Sequence, residues 1–460
     1  MKTVKTDIIP FQQQFAKIKA PHELNLEAIC IFSAIGFFLD QDTYWKDIVA
    51  LPPASINTID NDGILINSEP WFTWSYKPKK VDFNTVVSEF TDLFEGIINE
   101  QIGNKNVILP LSGGLDSRTQ AVALNHLNKR VQSYSYSFLG GYPESKISKQ
   151  IASVCNFDFN EYIIPKGYLW EKINELAKIN NCYSDFTHPR QMAIIDEFDS
   201  MGDIFSLGHW GDVLFDRMCD GQLTEEEELE FVIKKILKKG GMELANNLWK
   251  SWQLEGEFEV YLRSRVKELL DKISIKDSNA KIRAFKSMYW APRWTSINLA
   301  IFSEKKRITL PYYDNRMCQF ICTIPEEYLA DRKIQIAYIK NRSPKLARIT
   351  WQENKPFNLY NYKFNKQPYN LPYRVINKLR REVNALIGNH YIQRNWELQF
   401  LGDNNAQELN SYLLNENFNS FVDEELVKEL YLKFKHENTV KYSHPISMLL
   451  TLSNFYKSKN

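Results

Sequence analysis

The spacing of apolar residues divides the chain into three regions with different predicted structures. Up to about residue 80, short apolar runs alternate with turn signals, among them Asn61-Asp62-Gly63, which favours a β-hairpin. Between residues 81 and 360, helical and strand-like periods alternate, and from about residue 223 onward the pattern is almost wholly helical. We therefore predict a small β-rich piece at 1–80, an α/β domain at 81–360 and a helical extension at 361–460.

The middle region has the alternation that is typical of a parallel sheet. Apolar residues recur every three or four positions up to residue 102, which predicts an amphipathic helix. Strands are predicted at 107–111, 131–138, 162–164 and 204–207, and a helix at 116–127. This order predicts an α/β fold with a doubly wound parallel sheet and helices on both faces.

Two groups of possible metal ligands are better explained as parts of helices. Thr224 and Glu227 form a capping-box pattern, so the acidic run at 225–228 is predicted to begin a helix. Cys318 and Cys322 are four residues apart, and no neighbouring Cys-x-x-C pattern supports a zinc site. Neither group is predicted to hold a metal.

Composition and charge exclude several functional classes. The 460 residues include 57 Lys and Arg against 56 Asp and Glu, so the net charge of +1 argues against a nucleic-acid partner. The longest uncharged apolar run, 28–39, is far shorter than the ~20 residues of a membrane span. The N-terminus lacks a signal-peptide pattern, and six scattered cysteines do not form a disulfide framework. The expected location is the cytoplasm.

The segment 107–118 carries the clearest chemical signal. A predicted strand ends in Ser112-Gly113-Gly114, and a helix follows at once. The glycines allow a sharp turn, and the loop amides together with the helix N-terminus form a site for an anion such as phosphate. Ser112 and Ser117 can donate hydroxyl hydrogen bonds, and Asp116 suits this site if it holds a Mg²⁺ ion bound to the phosphates.

The loop Ser112-Gly-Gly-Leu-Asp-Ser117 resembles the pyrophosphate loop of the ATP pyrophosphatases, which split ATP into AMP and pyrophosphate. The two better-known phosphate loops, G-x-x-x-x-G-K-[ST] and G-x-G-x-x-G, are absent. Further stretches resemble the asparagine synthetase family in order and spacing. They are 51–54 with Trp71, Gly208-His-Trp-Gly-Asp212, Leu310-Pro-Tyr-Tyr-Asp-Asn-Arg316, and Lys345-Leu-Ala-Arg348 with Lys355-Pro-Phe357.

Two departures from that family bear on function. The family's glutaminase domain begins with a nucleophilic cysteine after the initiator methionine, whereas this chain has Lys2 and only some 80 residues before the synthetase part. The resemblance then implies free ammonia, another amine, or ammonia from a partner protein. The second departure is in the loop 208–213, where the family's two glutamates are replaced by His209 and Val213. The β-lactam synthetases and the lasso-peptide cyclases are relatives that form amides on other acids. The resemblance to them implies that this protein activates an acid other than aspartate.

The resemblance implies ATP and Mg²⁺, and activation of a carboxylate as an acyl-adenylate for attack by an amine. Lys355 is expected to be catalytic, and His209 is either a general base or a residue that packs with Trp210. Asp116 and Asp212 are the expected metal ligands. The residues expected to bind ATP are Leu111, Ser112, Gly113, Gly114, Asp116, Ser117, Arg118, Tyr136, Ser137 and Gly208.

Three alternatives stay open at this point. An amidating or cyclising enzyme for a glycan or peptide acid would use the same loop. A tRNA-modifying pyrophosphatase predicts a basic surface and reactive cysteines, which the composition disfavours. A non-catalytic family member would act as a binding protein, which the replaced glutamates favour and the intact Ser112–Ser117 loop disfavours.

Overall fold

A computed structural model describes residues 1–142, 145–386 and 391–459. Ten strands are formed in these residues. They are β1 Lys2–Lys5, β2 Phe15–Lys17, β3 Ile48–Ala50, β4 Ser55–Ile59, β5 Leu65–Pro70, β6 Val107–Pro110, β7 Val131–Phe138, β8 Asp158–Ile164, β9 Ile204–Ser206 and β10 Arg307–Thr309.

Helices make up most of the remaining described chain. In order they are α1 Leu26–Ile35, α2 Phe83–Ile102, α3 Leu115–His126, α4 Ser145–Cys155, α5 Tyr168–Asn180, α6 Gly211–Leu214, α7 Glu225–Ile236, α8 Gly241–Ser251, α9 Phe258–Asp271, α10 Ser278–Phe285, α11 Ser296–Lys305, α12 Asn315–Ile321, α13 Glu326–Leu329, α14 Lys333–Arg342, α15 Pro344–Ala347, α16 Leu371–Leu386, α17 Asn395–Phe400, α18 Asp403–Leu413, α19 Glu416–Asn419, α20 Glu424–His436 and α21 Thr439–Lys459.

The central sheet is parallel and has five strands in the order β10-β9-β6-β7-β8. The chain winds outward from β6 through β7 to β8 and then returns to place β9 on the other side of β6. Because parallel crossovers are right-handed, this reversal puts the connecting helices on both faces of the sheet. The predicted doubly wound α/β fold is confirmed.

The N-terminal part is built from short antiparallel strands. β1, β4 and β5 form a three-stranded sheet, and β2 pairs with β3. The hairpin between β4 and β5 turns through Asp62 and Gly63, where Gly63 has a φ of 84° that suits a residue without a side chain. The predicted β-rich piece and its turn are both confirmed.

One large apolar core includes side chains from Ile8 in the N-terminal part to Phe455 in α21. A second, small cluster in the N-terminal strands contains Val4, Ala16 and Leu51. Within the large core, α1 packs against α8, and α2 places Phe90 and Phe94 against aromatic rings from α14 and the segment after β10. The domain limits predicted from the sequence stay a prediction.

The region after residue 223 differs from its prediction in one element. The pattern there is helical, but residues 307–309 form β10, which pairs with β9 at the edge of the parallel sheet. A strand of three residues is too short to show a period of two, so its sequence gave no sign of it. The Thr224–Glu227 capping box is present at the start of α7, as predicted.

The six cysteines are all buried and unpaired. Burial raises the pKa of Cys30 far above its ordinary value, so this thiol is a neutral part of the apolar core. In the part of the chain that the structure describes, no group of three or more His, Cys, Asp or Glu side chains could hold a metal ion. None of the described helices is both long and apolar enough to cross a membrane.

Candidate active site

A cavity of about 580 Å³ opens at the carboxyl ends of the central strands. Its floor comes from Pro110 and Leu111 at the end of β6, and Leu207 and Gly208 follow β9 on the other side. These two strands are the ones between which the strand order reverses. In open parallel α/β sheets, ligands bind in the crevice at such a reversal.

The predicted phosphate loop lines this cavity. The loop joins β6 to α3, and the Ser112 and Ser117 hydroxyl oxygens lie 3.0 Å apart. The Ser112 amide donates to Ser117 Oγ at 3.1 Å, and the Gly114 amide donates to Ser112 Oγ at 3.3 Å. The two hydroxyls therefore lie together at the N-terminus of α3. This arrangement suits an anion, because hydroxyl groups and helix amides can both donate hydrogen bonds to it.

The loop is fixed from the other side by a later segment of the chain. The Gly113 amide donates to Gln352 Oε1 at 3.0 Å, and a Cβ atom at Gly113 would collide with the Gln352 side chain. Gln352 and its neighbour Glu353 also line the cavity. Glycine at position 113 is therefore required by close packing, and Gly113 itself does not line the cavity.

Arg118 stabilises the same contact between the phosphate loop and the segment around Gln352. Its side chain is fully buried, and its guanidinium donates to the carbonyl oxygens of Gly113, Ile349 and Thr350 at 2.7–3.1 Å. Burial lowers its pKa to about 10. We expected Arg118 to meet a phosphate, but the structure places it under the loop, outside the cavity, as a support for the backbone.

Asp116 projects from the first turn of α3 into the cavity. Its Oδ1 pairs with the guanidinium of Arg332 and accepts a hydrogen bond from Gln335 Nε2 at 3.1 Å. Burial raises the pKa of Asp116 to about 6, Arg332 lowers it, and the charge of Asp212 raises it again. A Cβ atom at Gly211 would collide with the Asp116 carboxylate, so glycine is needed there.

The donor set suits a Mg²⁺ ion that arrives with phosphates. Asp116 and Asp212 both line the cavity, and Asp116 Oδ2 and the Asp212 carboxylate have no hydrogen-bond partner among the described residues. Mg²⁺ is commonly bound by one or two carboxylates together with substrate phosphates. Two carboxylates without a third protein ligand therefore suit a Mg²⁺ ion that is already bound to phosphates. They do not form a site for Mg²⁺ alone.

His209 lies in the loop between β9 and α6, on the cavity wall. More than a third of its surface is open, and that surface lies within the cleft. Enclosure in the cleft lowers its pKa to about 4, although Asp212 raises it. The imidazole is therefore neutral at pH 7, where it accepts hydrogen bonds but is a weak base.

The wall opposite the phosphate loop has a feature that the sequence did not reveal. Residues 286–295 form a π-helical turn that brings Lys286, Trp290 and Trp294 to the cavity. The Lys286 ammonium lies 5.8 Å from the ring centre of Trp210 and 5.3 Å from that of Trp290. It has no ion pair among the described residues, and burial lowers its pKa.

Not all of the predicted site residues meet in this cavity. Those that line it are Leu111, Ser112, Gly114, Asp116, Ser117, Tyr136, Gly208, His209 and Asp212. Ser137 points to the other face of β7, where its hydroxyl donates to Glu161 at 2.9 Å. Lys355 is half-buried and does not line the cavity, although Gln352 and Glu353 do.

Arg332 is another residue that sequence reasoning missed. Asp331 and Arg332 have φ values of 60° and 59°, a left-handed conformation that costs energy for residues with a side chain. This backbone directs Arg332 into the cavity, towards Asp116. Neither Arg332 nor Lys286 lies in a recognisable motif, since each reaches the loop from a distant part of the chain.

Comparison with known proteins agrees with the loop and its setting. Residues 89–195, which contain β6, the phosphate loop, α3 and β7, match the family model "Asparagine synthase". The match is limited to this segment, and it agrees with the resemblance to that family that the loop residues show. No curated protein sequence matches the chain.

Among the solved structures that are similar in part is "Structure of NMN synthetase from Francisella tularensis". It has 13% sequence identity and a TM-score of 0.23, and the match covers 45% of this chain and 93% of that chain. A likeness of this size supports no statement about substrate or reaction.

Proposed function

We propose that the protein is an ATP-dependent ligase that joins a carboxylate to an amine and releases AMP and pyrophosphate. The observation that carries this proposal is the Ser112–Ser117 loop at the floor of the cavity, beside the reversal of strand order. Its match to the asparagine synthase family model supports the same reaction class.

The loop would bind the phosphates of ATP. The hydroxyls of Ser112 and Ser117 and the free amides of the first turn of α3 donate hydrogen bonds to phosphate oxygens. Charge develops on pyrophosphate as it leaves, so these fixed donors stabilise the transition state more than the ground state. Tyr136, on the neighbouring strand β7, lines the same cavity and would contact the base of ATP.

Asp116 and Asp212 would hold Mg²⁺, which neutralises phosphate charge and withdraws electrons from the α-phosphorus when bound. Asp116 would share its two oxygens between this role and its pair with Arg332. Arg332 itself lies at the cavity wall, where its charge offsets that of the two carboxylates.

The second half of the reaction needs an amine next to an activated acyl group. His209 is neutral and can accept a hydrogen bond from the amine, which would orient its lone pair towards the acyl carbon. Lys286 supplies a positive charge on the opposite wall, where the carboxylate of the acid would meet it. Lys355 stays a candidate from the family resemblance alone.

The sequence differences from asparagine synthetases support the finer part of the proposal. The amine in this proposal is ammonia, another amine, or ammonia delivered by a partner protein. The aromatic wall of Trp210, Trp290 and Trp294 favours an acid with an apolar or flat body over aspartate. A glycan or peptide acid is therefore the alternative substrate class.

The first experiment is an assay of AMP and pyrophosphate release from Mg-ATP. Aspartate with ammonia is compared with each alone, followed by sugar acids and peptides, and binding of ATP is measured by thermal shift. Release that needs both an acid and an amine supports the ligase. Binding of ATP without turnover on aspartate directs the search to the other acids.

A matched pair of variants tests the site. Asp116→Asn should reduce pyrophosphate release by at least about 100-fold, because it removes a carboxylate that would hold Mg²⁺. Asp62→Asn, in the exposed β4–β5 turn, should leave activity unchanged. Failure of the wild-type protein to bind ATP would contradict the ligase and leave the binding-protein alternative.

A further inference from the structure

The helix α16, Leu371–Leu386, exposes an apolar face that the described structure leaves uncovered. Only Tyr373 and Asn377 are half-buried, and every other residue of α16 whose side chain is described is exposed. The apolar residues on this face are 41–88% exposed, and they are Leu371, Val375, Ile376, Leu379, Val383 and Leu386. Large apolar side chains are exposed in such a group when they serve as a contact surface.

The exposed apolar residues form a stripe along one side of α16. At 100° per residue they fall within an arc of about 140° on the helix, and Glu382 is the one charged residue inside that arc. Lys378 and Arg380 lie at the two edges of the stripe, and Arg374 lies on the far side. The helix contains four basic residues and one acidic residue, Glu382, which pairs with Lys378 at 3.8 Å.

The segment before α16 extends this surface with aromatic and basic residues. Phe364 and Tyr369 are 47% and 58% exposed, and their rings are in contact with centres 5.1 Å apart. Lys363 and Lys366 are exposed beside them. Aromatic rings next to lysines are typical of segments that lie at the boundary between lipid and water.

We propose that α16 and residues 363–369 attach the protein to the surface of an anionic lipid bilayer. A basic helix with one apolar face lies in the plane of the interface, with that face in the acyl boundary and its cations at lipid phosphates. Its 16 residues are fewer than the ~20 that a spanning helix needs. This inference does not depend on the proposed function.

Charge argues against a second copy of the chain as the occupant. A pair of α16 helices would bring together two segments that each carry four basic residues and one acidic residue, and like net charges repel. An anionic lipid surface instead offers opposite charge at the edges and an apolar environment for the stripe. The chain as a whole has a net charge of +1, so the attraction is local to this helix.

The test is flotation of the full-length protein with vesicles of phosphatidylcholine mixed with phosphatidylglycerol, compared with vesicles of phosphatidylcholine alone. We expect binding to the anionic vesicles that weakens as salt is added. A Leu379→Glu/Val383→Glu variant should bind at least about tenfold more weakly, because two apolar side chains no longer enter the lipid. Lys378→Glu/Arg380→Glu, which reverses the charge at both edges of the stripe, should lose the preference for anionic lipid.

The matched control is Val260→Glu on α9, which changes an apolar residue that is 62% exposed on another helix. It should bind vesicles like the wild type, and thermal unfolding of all variants should be unchanged because the altered residues are exposed. Absence of wild-type binding to anionic vesicles would overturn the proposal. So would a wild-type dimer that the Leu379→Glu/Val383→Glu change converts to a monomer without altering vesicle binding.

Discussion

Asp116 shows how strongly this cavity controls the charge of one side chain. Two opposing effects act on it, since burial favours the neutral acid and Arg332 favours the carboxylate, and burial is the larger. The resulting pKa of about 6 lies close to physiological pH. Groups with such shifted values in a cleft are common at functional sites.

The first prediction concerns the pH dependence of activity. If ionised Asp116 holds Mg²⁺, pyrophosphate release should rise as pH increases through about 6 and then level off. Because the pKa of His209 is about 4, a His209→Asn variant should lower activity without changing the pH at which activity rises. Profiles of the rate between pH 5 and 8 test this. If the rise of activity near pH 6 disappears in the His209 variant, the assignment of the rise to Asp116 is wrong.

The same shift predicts a pH-dependent stability. The pKa of Asp116 is higher in the folded protein than the ordinary value of 3.8, so the folded state binds the proton more tightly. This contribution to stability is present below pH 3.8 and is lost as pH rises through about 6. Relative to Asp116→Asn, the wild type should therefore lose stability across that range, which urea unfolding without nucleotide measures.

Lys286 provides the second residue-level test, because it competes with Lys355 for the same role. Lys286→Met should reduce kcat about 100-fold and leave ATP binding intact if, as proposed, its charge meets the carboxylate of the acid. Lys355→Met should have the larger effect if the family resemblance assigns the lysine correctly. Lys178→Met, at an exposed position of α5, is the control.

At the scale of elements, the contact between the phosphate loop and residues 346–352 decides the shape of the cavity. Arg118 on α3 and Gln352 after α15 together join two segments that are more than 200 residues apart in sequence. Neither residue alone has a pattern that predicts this contact. The loop itself was predictable because its strand, glycines and helix are consecutive.

A third prediction follows from the planar group of Arg118. Arg118→Lys should destabilise the protein by about 2 kcal/mol, because one ammonium cannot reach the carbonyls that the guanidinium holds at different positions. It should also raise the KM for ATP as the loop loosens. Arg130→Lys, at an exposed position, should change neither quantity, and equal effects of both variants would contradict this role.

At the scale of the whole molecule, the continuous core predicts how the chain unfolds. Side chains from the N-terminal part, the central sheet and α21 belong to one apolar cluster. Separate domains unfold separately only when their cores are separate. The division at residues 80 and 360, which the sequence pattern predicts, therefore need not appear in unfolding.

We expect a single unfolding transition, with far-UV circular dichroism and the fluorescence of the 11 tryptophans changing together. Phe94→Ala should lower the free energy of unfolding by about 3–5 kcal/mol, because Phe94 is fully buried among other rings. Leu432→Ala, 56% exposed on α20, should change it by less than about 0.5 kcal/mol. Two separated transitions would contradict the continuous core.

The sequence alone determined the features that depend on neighbouring residues. Periodicity indicated the strands β6 and β7 and the helix α3, and the glycines and serines between them indicated the phosphate loop. Asp212 and His209 were found because the segment 208–212 resembles a loop of the asparagine synthetase family, and the structure places that segment after β9, beside the end of β6. These inferences hold because local backbone geometry follows from consecutive residue types.

Only the tertiary structure decided which distant residues complete the cavity. Lys286 enters from a π-helical turn, Arg332 from a left-handed turn and Gln352 from a short loop, and none of these has a distinctive pattern. For the same reason Arg118 was expected at a phosphate and instead supports the backbone. The partners of a polar side chain depend on which chain segments pack around it, and that packing is settled by the core as a whole.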